Sequence, residues 1–262
     1  MDQDDYIKAL IPIVHKDPIV HKDLVGKAQN EPATPESESL FRSLLGAIAY
    51  TQLTQHQIAC YVVALQRAAS KLTIGEIRRL NVLCKRLQKK PLSITYSSLC
   101  TKDQTNYLTV FSDAGFKKEE KDGYALRGAT YLRHIKSIVS DTGQISPETK
   151  IHLLHAESKS IKTVCRSTYA AELMAATSAT DVLIPLTITL MEIQSGTLGA
   201  EQLKKLREEG WSGAPTIITR LMLDAKSVFE SVKAQNFKPP AENSLAGHVL
   251  WLREMLLKKL VS

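Results

Sequence analysis

Three acidic residues have the type and surroundings to support a chemical step: Asp113 in LTVFSDAGF, Glu172 in STYAAELMAA and Asp224 in TRLMLDAKSVFESV. Carboxylates are hard oxygen donors, which is what Mg2+ takes as ligands. Pairs of such ions about 4 Å apart stabilise the attacking and leaving oxygens of a phosphodiester displacement. Three carboxylates gathered at one point therefore suit metal-assisted phosphodiester hydrolysis, and no His-rich or Cys-rich ligand set competes with them. Each acid also has a plain structural reading. Asp113, ending an apolar run, suits the start of a turn. Asp224 suits the N-cap of a helix beginning at Ala225, and the sequence leaves cap and ligand open. Glu172 is harder to explain that way, because a carboxylate within an apolar helical run needs a partner or a metal. His248 fits a proton shuttle or a metal ligand, and equally a surface or packing residue on a helix.

To meet, these acids must be carried by elements far apart in the chain. A period of two marks LSITY, NYLTVFSD, GYALRGATYLRHI, KIHLLHA and, later, TIITRLMLD as strands, with the polar stretch around Gly115 to Gly123 as a hairpin connection. Ser167 or Thr168 caps a helix over 169–193, and AKSVFESVKAQ and AENSLAGHVLWLREMLLKKL read as further helices. The layout is α/β, with Asp113 and Asp224 on neighbouring strands and Glu172 reaching over from a helix. Upstream, Leu40, Leu44, Leu45 and Ile48 recur at helical spacing, as do Ile58, Val62 and Leu65, and then Ile77, Leu80, Leu83 and Leu87. Three amphipathic helices make a helical subdomain. The third displays Arg78, Arg79, Lys85 and Arg86 mostly off its apolar stripe, which is either a solvated face or a track for a nucleic-acid backbone. Lys226 and Ser227 just after Asp224, with Lys233 and Lys238, are open to the same two readings. The expected division is an N-terminal extension and solvated linker over 1–38, a helical subdomain over 39–90 and an α/β domain over 91–262, with Pro91 at the junction. The linker takes in the doubled IVHKDPIVHKD and the Pro-rich, acidic NEPATPESES.

Composition narrows the classes. The chain has 262 residues, 44% of them apolar, enough for one large or two small cores. Its 34 Lys and Arg against 27 Asp and Glu give a net charge of +7, compatible with a polyphosphate partner and too mild to require one. Cys60, Cys84, Cys100 and Cys165 form no CxxC pair, so buried thiols in a reducing compartment are expected rather than a disulfide framework. The acidic opening MDQDD does not fit a signal or transit peptide. DVLIPLTITLMEI is short for a membrane span and flanked by acids. The expectation is an intracellular protein with no membrane segment.

The second half of the chain resembles a ribonuclease H domain of the copia-type retrotransposon polyproteins. SDAGF is similar to their SDA signature, and ESKSIKTVCRSTYAAEL resembles the strand-turn-helix segment carrying SK and S-x-x-A-E. LDAKSVFESV resembles D-N-x-S, and AELMAA is similar to the helix of cellular ribonuclease H. In the first half, QDDYIKALIPI and the run from LFRSLLGAIAY to NVLCKRL resemble the stretch that follows the polymerase palm in the same polyproteins. The resemblance covers nearly the whole chain, with its motifs in the family's order.

That resemblance implies a ribonuclease H-like mixed sheet with flanking helices, preceded by a thumb or connection-like helical subdomain. It implies Asp113, Glu172 and Asp224 as catalytic ligands of Mg2+ or Mn2+, acting on the RNA strand of an RNA/DNA hybrid. It also marks departures. No Y-x-D-D palm motif is present, Gln57 stands where the family has the Asp of P-D-I-A, and His248 stands where many relatives have Asp. The family's A-D-x-x-T-K segment, which supplies a fourth carboxylate after the last helix, is not found after Asp224. A three-acid site is expected to hold the metal weakly. Two functions follow: a ribonuclease H-type endonuclease of low activity, or a retroelement-derived nucleic-acid-binding or scaffold protein that kept the fold, for example within a larger ribonucleoprotein or polyprotein.

Overall fold

The helical spacing upstream of Pro91 becomes four α-helices in the computed structural model, which describes residues 3–13, 30–92, 94–99, 105–116, 125–135, 150–210 and 217–262. The chain divides into two units, Met1–Thr95 and Tyr96–Ser262. The first holds α1 (Gln3–Lys8), α2 (Pro35–Tyr50), α3 (Ala59–Ala68) and α4 (Ile74–Lys89), joined in part by 3-10 turns at Thr51–Leu53, His56–Ile58 and Ala69–Lys71. Phe41 and Ile48 of α2, Val62 of α3 and Leu80 of α4 are completely buried, so the predicted stripes are the faces that meet.

Two features of this unit differ from the sequence expectation. NEPATPESES is exposed at most of its positions but is held in place: the Ala33 N–H donates to the Leu72 carbonyl at 3.0 Å, the Ile74 N–H donates to Glu31 at 3.1 Å, and Pro32 forms an isolated bridge with Thr73. Thr34 then caps α2 by accepting from the Ser37 N–H, with Pro35 just inside the helix and Glu36 and Glu38 in its first turn. The proline that suggested a linker is pre-set for a first helical turn, where its missing N–H removes nothing. The start of the chain also joins the core, because α1 buries Ile7 and the chain just beyond it buries Leu10. Most of IVHKDPIVHKD lies outside the described residues.

The second unit is mixed α/β, with a four-stranded mixed sheet and flanking helices. Its strands are β1 (Asn106–Gly115), β2 (Leu126–His134), β3 (Ile151–Ser160) and β4 (Ile217–Leu223), in the order β3-β2-β1-β4. β1 and β2 pair antiparallel, as do β2 and β3, whereas β4 runs parallel to β1. A parallel neighbour needs a long crossover. The crossover here contains α5 (Thr168–Ser195) and α6 (Ala200–Glu209), and β4 is followed by α7 (Lys226–Lys233) and α8 (Ala246–Leu257). LSITY is no strand in its described residues. Tyr96 is instead tied to β3 by its side chain, the hydroxyl donating to the Leu153 carbonyl at 2.7 Å. The hairpin connection expected after Gly115 falls largely outside the described residues, although the antiparallel pairing on either side of it is present. α6 went unforeseen because it buries no residue, and Leu203 and Leu206 alone make too thin a stripe for a period to show.

α5 spreads across β1, β2 and β4 and buries Leu173 and Leu183 completely. Thr177, Thr180 and Thr187 fit its apolar interior because each hydroxyl donates to the carbonyl four residues earlier. DVLIPLTITLMEI is thus the second half of a 28-residue helix, not a short isolated run. By length and composition this helix could cross a membrane; here 44% of its most apolar window is buried within the protein, and the Tyr131 hydroxyl of β2 donates to its Ala179 carbonyl. It has the place of a core helix. At the outer edge of β4, the Ser262 N–H donates to Thr219 and the Leu221 N–H donates to Ser262, both at 3.1 Å.

Candidate metal centre

The sheet register brings two of the acids level. Because β4 is parallel to β1 and Leu223 lies opposite Ser112, the next residues, Asp113 and Asp224, emerge side by side at the carboxyl ends of adjacent strands. In open α/β sheets that end is where ligands bind. Glu172 comes from the second turn of α5, whose start is fixed by Ser167: its hydroxyl accepts from the Ala170 N–H at 3.1 Å. Ala171, Leu173, Ala175 and Ala176 pack that turn into the core, so Glu172 projects from a rigid part of the helix.

Asp113, Glu172 and Asp224 each offer an oxygen, and these oxygens lie within 4.8 Å of one another. Asp113 and Asp224 are exposed, while Glu172 is only 8% exposed. Burial, the charges of Asp113 and Asp224, and a partly offsetting backbone hydrogen bond at Ala114 together push the Glu172 carboxyl up to about 7. Two oxygens on one Mg2+ at 2.0–2.1 Å are at most about 4.2 Å apart, so the widest spacing present needs to close by roughly 0.6 Å. The donors are all hard oxygens, two of them open to solvent. The set fits a divalent cation of the Mg2+ or Mn2+ type, and its identity is not fixed by the geometry.

The helix-cap reading of Asp224 does not hold, because Ala225 occupies the N-cap position of α7 and no side chain caps it. Lys226 and Ser227 open α7 and are exposed, and Lys226 lies 3.5 Å from Glu230 one turn on. His248 is half-buried on α8 and lies outside the three-acid group; its charge bears on Asp181 of α5. Arg78, Arg79, Lys85 and Arg86 belong to α4, in the other unit. One surface was missed in the sequence. A cavity of about 600 Å³ lies at the start of α5, lined by Arg166, Ser167, Tyr169, Ser231, Lys238 and Glu242 among others. Tyr169 and Ser231 share a hydrogen bond of 2.9 Å there, tying α5 to α7. The signal available in advance was Arg166, directly before the helix cap, where a positive charge adds to the helix dipole in favouring anions.

No family model matches the chain, and no curated protein matches it. Among solved structures, prototype foamy virus protease-reverse transcriptase is similar with a TM-score of 0.29 and 12% sequence identity, over 71% of this chain and 23% of that one. This chain therefore spans about a quarter of the length of that protein.

Proposed function

We propose that this chain is a retroelement-derived ribonuclease H-like protein that hydrolyses the RNA strand of RNA/DNA hybrids with Mg2+ or Mn2+. The observation that carries the proposal is the convergence of Asp113, Glu172 and Asp224 from two strand ends and a helix. Asp113, Glu172 and Asp224 would hold a divalent cation, which when bound would supply positive charge to the oxygens of a phosphodiester undergoing attack. The residues themselves orient and neutralise: Asp113 and Asp224 present carboxylates to solvent, and Glu172 holds its oxygen at the floor of the cluster. Arg166 and Lys238 add cationic side chains to the cavity at the start of α5, offset in part by Glu242, where a phosphate of the bound strand fits. The copia-type motifs around the three acids support RNA/DNA hybrid as the substrate.

A second reading, a nucleic-acid-binding or scaffold protein without hydrolysis, draws on Glu172. A carboxyl raised to about 7 is about half protonated at neutral pH and largely protonated below it, which weakens any cation site it belongs to. The two readings part in one experiment. The purified chain is incubated with an end-labelled RNA/DNA hybrid in Mn2+ and in Mg2+, beside Asp113→Asn. Hybrid cleavage in the wild type that disappears in Asp113→Asn, with Mn2+ the better ion, is the expected result. Cleavage that survives the substitution sinks the metal-site assignment, and hybrid binding without cleavage selects the second reading.

A further inference from the structure

Glu172 is carried by α5, Asp224 sits where β4 passes into α7, and one side-chain hydrogen bond joins these two helices. The β1–β2 ladder holds Asp113, which is paired with Gly128, but Asp224 lies one residue beyond Leu223, where the pairing of β4 with β1 stops. No loop separates Asp224 from α7, because Ala225 is already the N-cap of that helix. A shift of α7 along α5 is therefore passed on to the spacing between Asp224 and Glu172. Val228 and Val232 of α7 belong to the same apolar core as Ala170 and Ala171 of α5. Apolar packing is non-directional, so it fixes the setting of one helix along the other only loosely. Tolerance is small at the cluster: its oxygens are up to 4.8 Å apart, and two ligands of one Mg2+ stand at most about 4.2 Å apart.

A hydrogen bond is directional, and one stands where the setting has to be fixed. The Tyr169 and Ser231 hydroxyls are 2.9 Å apart, and the Ser231 hydroxyl donates to the Val228 carbonyl at 2.8 Å. A serine hydroxyl has one proton to give, so Tyr169 is the donor to Ser231, and the bonds run from Tyr169 through Ser231 to Val228. Tyr169 precedes Glu172 by three residues, so the two lie on one face of α5. Val228 follows Asp224 by four residues, in the first turn of α7. The pair thus links the turn that carries Glu172 to the helix that leads out of Asp224. Both residues also line the cavity of about 600 Å³ at the start of α5, where water is able to replace a lost partner, so the bond adds little to the stability of the fold. We propose that Tyr169 and Ser231 are a positioning pair for the three-acid centre, setting Glu172 against Asp224 at a spacing that a divalent cation can draw together. This role rests on the reading of the cluster as a metal centre.

The test is Mn2+ binding to the full chain at about pH 8, read from the electron paramagnetic resonance signal of the free ion, beside urea unfolding in a chelator. Wild type is compared with Tyr169→Phe, Ser231→Ala, the two together, Ser231→Thr and Asp113→Asn. Tyr169→Phe and Ser231→Ala should each weaken Mn2+ binding by about tenfold, the scale of loss when a group that orients metal ligands is removed, while metal-free unfolding moves little. The double variant should bind no worse than either single one, because all three lack the same bond. Ser231→Thr keeps the hydroxyl and should bind as the wild type does. Mn2+ affinity unchanged in either single variant, losses that multiply in the double variant, or a loss in Ser231→Thr equal to that in Ser231→Ala would each overturn the positioning role and leave the metal centre standing. Wild type that binds no Mn2+, or binding that survives Asp113→Asn, overturns the metal-centre reading and the positioning role with it.

Discussion

Substituting Glu172 with Gln should stabilise the metal-free protein at neutral and alkaline pH and leave it unchanged in acid. The magnitude follows from the environment of this carboxyl. Its ordinary value of 4.5 is raised to about 7, first by burial and then by Asp113 and Asp224. A gap of about 2.5 pH units at about 1.4 kcal/mol per unit amounts to roughly 3 kcal/mol. The sign is fixed by which state holds the proton. Below about pH 4.5 the folded and unfolded chains both carry it, and Glu172 adds no penalty. Between about 4.5 and 7 the folded protein keeps a proton that the unfolded chain has released, so stability falls as pH rises through this window. Above it the full penalty of roughly 3 kcal/mol remains, because a charged carboxylate is then held in a buried position beside two others.

Urea unfolding at intervals from pH 4 to 9, in a chelator, measures this directly when wild type and Glu172→Gln are compared. Other titrating groups largely cancel in the difference, which should be near zero at pH 4 and grow to a few kcal/mol in favour of the variant by pH 8. Added Mn2+ at pH 8 should reverse the order, since it binds the wild-type carboxylate cluster and stabilises only the folded state. Parallel pH profiles for the two proteins would falsify the burial and charge argument, and so would a wild type that gains stability on the variant between pH 5 and 7.

Two smaller changes test the supports of the site. Ser167→Ala removes the hydroxyl that accepts from the Ala170 N–H at the start of α5 and should lower unfolding stability by about 1 kcal/mol, with a larger proportional loss of hybrid cleavage than of hybrid affinity; equal losses in both would show that the cap does not orient Glu172. Ser112→Ala should raise stability by about 1 kcal/mol in thermal unfolding, because the Ser112 hydroxyl, one residue before Asp113, is buried with no hydrogen-bond partner among the described residues. A drop in melting temperature would mean that this hydroxyl is satisfied in solution.

The acids were legible for two reasons: Asp113 and Asp224 sit at a change of period, where an alternating run ends and between a strand and a helix, whereas Glu172 interrupts an apolar helical run with a charge. Their meeting was less so, since it depends on β4 pairing parallel to β1, and a strand pattern carries no information on direction. That direction becomes intelligible only with the long crossover through α5 and α6, of which α6 is too polar to announce itself. The choice between cap and ligand for Asp224 turned on one residue, which periodicity cannot resolve: the N-cap position falls at Ala225. LSITY has the composition of a strand, yet its described residues pair as none, because β-propensity expresses packing on a sheet more than a preference of the backbone. The start of the chain misled in the opposite sense. Its prolines and acids read as a solvated linker, yet the same residues suit the first turn of a helix, and only the contacts of Ala33 and Thr34 distinguish the two.

Two buried glutamates in the same unit show why the three-acid cluster is read as a site and not as scaffolding. Glu157 on β3 and Glu172 on α5 are equally hidden, each 8% exposed. Glu157 is surrounded as a structural carboxylate must be, with Lys159 at 2.5 Å and Arg127 at 3.9 Å to balance its charge. Glu172 has the reverse: its charged neighbours are Asp113 and Asp224, and among the described residues none of the three carboxylates takes part in an ion pair. A fold that needed only packing at this point would be more stable with an apolar residue or a paired acid there. The arrangement relieves its own repulsion in two ways, by holding a proton on Glu172 or by exchanging that proton for a cation. Proton and cation therefore compete for the same oxygens, and raising the pH through the neutral range should tighten metal binding at this cluster while it loosens the metal-free fold.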